Sequence, residues 1–205
     1  MAEGRASVRR PSAMQLLRPR SRPVVTYVLI ALNVLLYVIT AAQATSLTSN
    51  QNSEVFVDLA MLGILVEHGD YWRLITATFL HFGLTHLAVN MLSLYLIGSS
   101  VEQALGRWRY LAVYLVSGLG GSLAVLLFTP NVWSAGASGA VFGLLGAAAV
   151  LMIRHKQNLN ALIGILVLNL AISFMPGISM AAHLGGLAVG AALTYGLVAG
   201  RQLRR

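Results

Sequence analysis

The chain has 205 residues, of which 57% are hydrophobic and only 10% charged, with a formal net charge of +8. An average soluble domain carries about 25% charged residues, so a water-soluble globular fold is excluded. The sequence contains no cysteine, which removes disulfides, thiolate nucleophiles and cysteine-based metal sites.

Residues 1–23, rich in Arg, Pro and Ser, are expected to form a disordered basic tail. Apolar blocks then cover 24–44, 84–98, 110–128, 137–153, 159–174 and 180–200, none of them containing Asp, Glu, Lys or Arg. Most approach the ~20 residues that cross a hydrocarbon core, and the shorter ones sit at or just below the low end of the ~17–25 range. The pattern predicts an all-α polytopic membrane protein, a bundle of six transmembrane helices over 24–200. The basic start, the first apolar block and Ala42-Gln43-Ala44 together imitate a secretory signal. The block is longer than a usual signal core, so it is read as span 1. The long loop 45–82 carries Glu54, Asp58, Glu67, Asp70 and Arg73. A structureless segment of that length is unusual, so short helices resting on the bilayer surface are expected, with Tyr71 and Trp72 at the interface.

Thirteen of the 14 Lys/Arg fall in the N-terminal tail, the span 2–3 turn (Arg107, Arg109), the span 4–5 turn (Arg154, Lys156) and the tail 201–205. With six spans these four segments share one side, and the positive-inside rule makes that side cytoplasmic. The basicity is therefore an orientation signal with anionic lipid as its contact, and not a nucleic-acid surface. Both termini are expected in the cytoplasm, and loop 45–82 outside. The bare six-span frame is the form expected of a bacterial inner membrane.

Spans 2, 4 and 6 all begin at the outer face. His86 and Asn90 fall within the first two turns of span 2, with Ser138 and His183 about one turn into spans 4 and 6. At ~1.5 Å per residue these groups lie within about 10 Å of the outer surface. Polar groups gathered at one membrane depth mark a functional site. His86 and Asn90, four residues apart, share a helix face and can offer N–H groups to a developing oxyanion. Ser138 is a weak nucleophile until a base takes its proton, and His183 is the base available. Gly136 and Gly139 let the backbone bend near Ser138. Gly139/Gly143 and Gly186/Gly190 form small faces for close helix packing, which would bring Ser138 within hydrogen-bond reach of His183. His81 is read as stabilising the end of the loop, and His68 and His155 as solvated. The remaining Ser, Thr and Met of the spans are read as bundle lining.

Other chemistries lack their residues. An aspartyl protease needs two carboxylates in the spans, and His81-Phe82-Gly83-Leu84-Thr85-His86 has neither the spacing nor the Glu of a zinc-protease motif. The G-x-S-x-G elbow fails at Ala140. No metal or other cofactor is implied, and a Ser-His dyad fits better than a triad.

These residues resemble the rhomboid family of intramembrane serine proteases over about 72–190. The matching pieces are Trp72-Arg73, His81 with His86-x-x-x-Asn90, Glu102-x-x-x-Gly106-x-x-Arg109, Gly136-x-Ser138-Gly139 and Ala182-His183-x-x-Gly186. The resemblance implies Ser138 as nucleophile and His183 as general base. His86, Asn90 and the Ser138 backbone N–H would form the oxyanion hole, and transmembrane segments of other proteins would be the substrates. Where rhomboids often carry Tyr four residues after the nucleophile, this chain has Phe142, whose ring can still stack on His183. Trp72 and Arg73 are read as loop anchors, and Glu102 and Arg109 as fixing the cytoplasmic turn. The rival reading is a non-catalytic relative that binds and escorts membrane proteins.

Overall fold

In hydrocarbon every backbone N–H and C=O must be satisfied within the segment, which leaves the helix as the form open to the apolar blocks of this chain. The structure, a computed structural model, describes residues 22–174 and 178–199. The expected tails, apart from residues 22 and 23, lie outside the described residues. Among the described residues nine α-helices follow one another: α1 (Val24–Gln43), α2 (Glu54–Leu59), α3 (Gly63–Glu67), α4 (Arg73–Thr76), α5 (Leu84–Leu105), α6 (Arg107–Phe128), α7 (Ser138–Arg154), α8 (Asn160–Ile172) and α9 (Met180–Ala199). Helices α1, α5, α6 and α9 are long and apolar enough to cross a membrane, while α7 and α8 are shorter apolar helices. Helix length alone thus supports four crossings, and a count of six rests on the two shorter helices as well. Large apolar side chains such as Val28, Leu35, Val38, Leu96, Leu127, Val167 and Leu168 remain exposed, as a lipid-facing surface requires.

Helices α6, α7 and α9 make the most extensive contacts in the molecule. Between α7 and α9 the backbones touch across glycines. A Cβ added at Gly186 would overlap the Gly139 carbonyl, and one at Gly190 would overlap that of Gly143. On the other side, a Cβ at Gly121 of α6 would lie 2.9 Å from the Ala182 carbonyl oxygen. The main apolar core, around Tyr110, Tyr114, Ala140, Leu144 and Ala147, joins α6 and α7 to Leu29 of α1 and to Leu94 and Val101 of α5.

The expectation that no span carries a carboxylate needs correction. After Ser93 the helix α5 widens into a π-turn over Leu94–Gly98 and continues as an α-helix to Leu105, ending where Gly106 adopts a φ of 83°. A π-turn inserts one extra residue per turn without ending the helix. Glu102 is therefore part of a span-length helix. It is 1% exposed and accepts hydrogen bonds from Val25 N (3.0 Å), Thr26 N (2.8 Å) and Thr26 Oγ1 (2.8 Å). Its carboxylate satisfies the free N–H groups at the start of α1, where the helix dipole favours negative charge. Glu102 thus anchors α1 to the bundle rather than only fixing its own turn. It stands sixteen residues, about 24 Å of helix, from His86.

The loop between α1 and α5 is ordered by side chains that serve as backbone caps. Ser53 Oγ accepts from Phe56 N at the start of α2 (3.1 Å). Arg73, 6% exposed, pairs with Asp70 (2.8 Å) and donates to the carbonyls of Val57 (2.6 Å) and Ala60 (2.8 Å) at the end of α2. Trp72 Nε1 donates to Asp58 O (3.2 Å). Both expected anchors therefore hold loop carbonyls.

Replacing Glu102 by Ala strands buried donors at the start of α1, so Glu102→Ala should destabilise the bundle by about 3 kcal/mol. Glu102→Gln, which keeps one acceptor oxygen, should cost less. Thermal unfolding in detergent micelles measures both.

Candidate active site

Ser138 is the first residue of α7 rather than a full turn inside it. The helix starts there because Gly136, at φ 134°, turns the chain in a region that side-chain-bearing residues avoid. The preceding strand-like stretch is tied to the outer loop by backbone pairs. Met61 and Ser134 exchange two hydrogen bonds (3.0 and 2.9 Å), Gly63 N donates to Pro130 O (2.8 Å) and Gly136 N donates to Ala77 O (2.9 Å). As the first helical residue, Ser138 has a backbone N–H with no intrahelical acceptor. Among the described residues neither this N–H nor its Oγ makes a hydrogen bond.

His86 approaches the same point from α5. A Cβ added at Gly136 would lie 2.7 Å from His86 Cε1, 2.9 Å from His86 Nε2 and 3.8 Å from Ser138 Oγ. The imidazole and the hydroxyl therefore flank one glycine. Loop aromatics fix the ring: Phe82 stacks on it at 5.9 Å and 17°, and His81 meets it edge-on at 5.1 Å. Phe56 of α2 supports Phe82 in turn at 5.2 Å. Asn90, 4% exposed, donates one amide hydrogen to His86 O (2.9 Å). An amide nitrogen has two hydrogens, so one stays free.

His183 enters from α9. Ser179 Oγ accepts from Ala182 N (3.1 Å), an N-cap that sets where α9 begins and so where His183 points. The ring of Phe142 stacks on it at 4.0 Å and 11°. Its Nδ1 lies 2.5 Å from Ser173 Oγ, just past α8, and its Nε2 is buried without a hydrogen-bond partner among the described residues. The expected Ser138–His183 hydrogen bond is not made, although the Gly139/Gly186 seam brings the two helices into contact. Such bonds are often long in an unliganded site. Reading the span hydroxyls as lining missed Ser173. Its signal was a hydroxyl at the end of the fifth apolar block, next to the short connection that leads to the block carrying His183.

A cavity of about 20 Å³ adjoins Gly136 and Gly139, with Thr78, Gly118, Ser122 and Ala182 among its walls. It has room for one water-sized group. Among the described residues no three His, Asp or Glu side chains are grouped to hold a metal. His68 and His155 are exposed.

The model of the Rhomboid domain matches residues 68–200, which take in His86, Asn90, Gly136, Ser138, Ser173 and His183. The chain belongs to the rhomboid family. It is 37% identical over 185 residues to rhomboid protease GluP of Bacillus subtilis, a match covering 86% of this chain and 36% of that protein. It is 45% identical over 143 residues to RHOMBOID-like protein 5 of Arabidopsis thaliana, covering 65% and 46%. Rhomboid protease AarA of Providencia stuartii is 28% identical over 203 residues, covering 84% and 72%. The chain thus spans less than half the length of the first two relatives. As a rhomboid it is an integral membrane protein built as a helical bundle.

Two predictions follow from the geometry around His86. A methyl group at position 136 meets both an unfavourable φ and the imidazole, so Gly136→Ala should displace His86 and slow labelling by a serine-reactive probe at least tenfold, read from gel fluorescence. The second concerns His81, which is fully buried with neither ring nitrogen hydrogen bonded. Burial, with the neighbouring His86 second, pushes its pKa down from 6.5 to about 3. The folded chain then binds fewer protons than the unfolded one below pH 6.5, so this contribution is intact above 6.5 and is lost as pH falls toward 3. Stability should drop by about 3 kcal/mol from this group between pH 7 and pH 4. In His81→Leu the acid-induced drop in thermal midpoint should be smaller.

Proposed function

We propose that this rhomboid is a serine endopeptidase that cuts transmembrane segments of other membrane proteins. The observation that carries the reading is the meeting, at Gly136, of an unbonded hydroxyl at a helix start with the His86 imidazole. A second histidine with a bare ring nitrogen stands on the adjoining helix. In this reading the substrate backbone reaches Ser138 from the outer leaflet. His183 Nε2 accepts the Ser138 proton as Oγ attacks the carbonyl carbon. The oxyanion takes hydrogen bonds from His86, the free Asn90 amide hydrogen and Ser138 N–H, donors held in place before charge develops. His183 then gives the proton to the leaving amine. Water, for which the cavity beside Gly139 has room, hydrolyses the acyl-enzyme with His183 again as base.

The frame proposed for this chemistry is six crossings over 24–200, with both termini in the cytoplasm of a bacterial inner membrane. Membrane lipids surround the bundle and membrane proteins are its substrates. Phe142 keeps the stacking surface for His183 without a phenol.

The test is labelling of the purified chain with a serine-reactive fluorescent probe. Ser138→Ala should abolish labelling, and His183→Ala should slow it at least a hundredfold. Equal labelling of all three proteins would remove the protease reading and leave a chain that binds and escorts membrane proteins.

A further inference from the structure

A base must present a bare nitrogen to its nucleophile, and a neutral imidazole has two nitrogens that can exchange that role. In serine proteases with a triad, a carboxylate on Nδ1 fixes the choice. The carboxylate of Glu102 caps α1 and cannot do so here. What faces His183 Nδ1 is Ser173, 4% exposed, with its Oγ at 2.5 Å.

The hydroxyl of Ser173 also lies 2.8 Å from Asn169 O. Two oxygens at that separation need a proton between them, and a carbonyl has none to give. The single Ser173 proton is therefore committed to Asn169, and the oxygen that faces His183 can only accept. Nδ1 must then carry the hydrogen. A second observation points the same way. His183 Nε2 is buried and unpartnered, and a buried N–H without an acceptor is rarer in proteins than an under-used lone pair.

We propose that Ser173 is a positioning residue that holds the His183 ring as the Nδ1–H tautomer, leaving Nε2 bare for the Ser138 proton. This rests on His183 being the base. Phe142 sets the plane of the ring by stacking, and Ser173 sets its rotation within that plane and its proton. When Nε2 takes the Ser138 proton, the Nδ1–H bond to Ser173 becomes charge-assisted and therefore stronger. A neutral hydroxyl stabilises that cation less than a carboxylate does. Its work is to choose the tautomer. Ser173 belongs to the end of α8, a helix with few contacts to the rest of the bundle, so the orientation of the base depends on where that helix end sits.

The experiment uses the full chain in detergent micelles with ¹⁵N-labelled histidine, His183 being assigned by comparison with His183→Gln. The native chain should show a protonated Nδ1 and a bare Nε2. Ser173→Ala should give a mixture of tautomers and at least a tenfold slower reaction of Ser138 with the serine-reactive probe. Ser173→Thr, which keeps the hydroxyl, should restore both to within about threefold, whereas the isosteric Ser173→Val should not. A native ring protonated on Nε2, an unchanged probe rate in Ser173→Ala, or equal rates in the Thr and Val variants would overturn the assignment. Undiminished labelling of His183→Ala would instead overturn the role of His183 as base. The tautomer spectrum separates the two failures, because it does not depend on reactivity.

Discussion

The close approach of α7 to α9 is the constraint on which the rest of the arrangement depends. Two glycine carbonyls on α7 occupy the space that side chains at Gly186 and Gly190 would fill. Without water or a hydrophobic drive inside a bilayer, helices associate through such van der Waals fit and through hydrogen bonds. Here the fit begins at Gly139, next to Ser138, and at Gly186, three residues past His183. Each step away from glycine would push the helices apart by part of a side-chain radius. On the proposed reading, a shift of that size would be enough to take Ser138 out of reach of His183.

A second set of contacts holds the partners of that seam. The outer loop reaches into the bundle at several points. The backbone pair between Met61 and Ser134 and the bond from Gly136 to Ala77 fix the approach to Ser138. Phe56 and Phe82 then brace the ring of His86. Arg73 keeps α2 in place by capping its carbonyls. The loop therefore acts as one wall of the site. At the opposite end Glu102 joins α1 to α5 by supplying the acceptor that the first turn of α1 lacks. Both ends obey the same rule: a buried backbone group finds a side-chain partner from a distant segment.

Much of this was legible in the sequence, for identifiable reasons. Uncharged apolar blocks of 15 to 21 residues favour helices, because the strands of a membrane barrel need only about 9–11 residues. Ser138, His183 and His86 all fall within the first four residues of their blocks, which is why the sequence reading expects them at one depth. The i, i+4 glycines mark the seam because helical periodicity brings them onto one face. What was not legible depends on contacts between distant segments. No local pattern announces that Glu102 reaches Val25 and Thr26, since the two stretches are more than seventy residues apart. Nor does any local pattern show that Gly98, at the end of the π-turn, leaves room for Tyr110, whose hydroxyl would lie 2.6 Å from a Cβ at that glycine. Ser173 looked like any hydroxyl in a lipid-facing helix, and only its placement against Nδ1 and Asn169 distinguishes it.

The brevity of α7 has its own consequence. Its 17 residues cover about 25 Å, a few ångströms short of the ~30 Å depth of hydrocarbon. Were α7 a crossing with Arg154 at one headgroup layer, its other end would stop beneath the opposite layer. Lipid against that face would have to thin or tilt its chains to meet it, at a small cost per ångström. On the proposed reading, hydrophobic mismatch would let solvent down to Ser138, and the thickness of the host bilayer would tune how wet the site is.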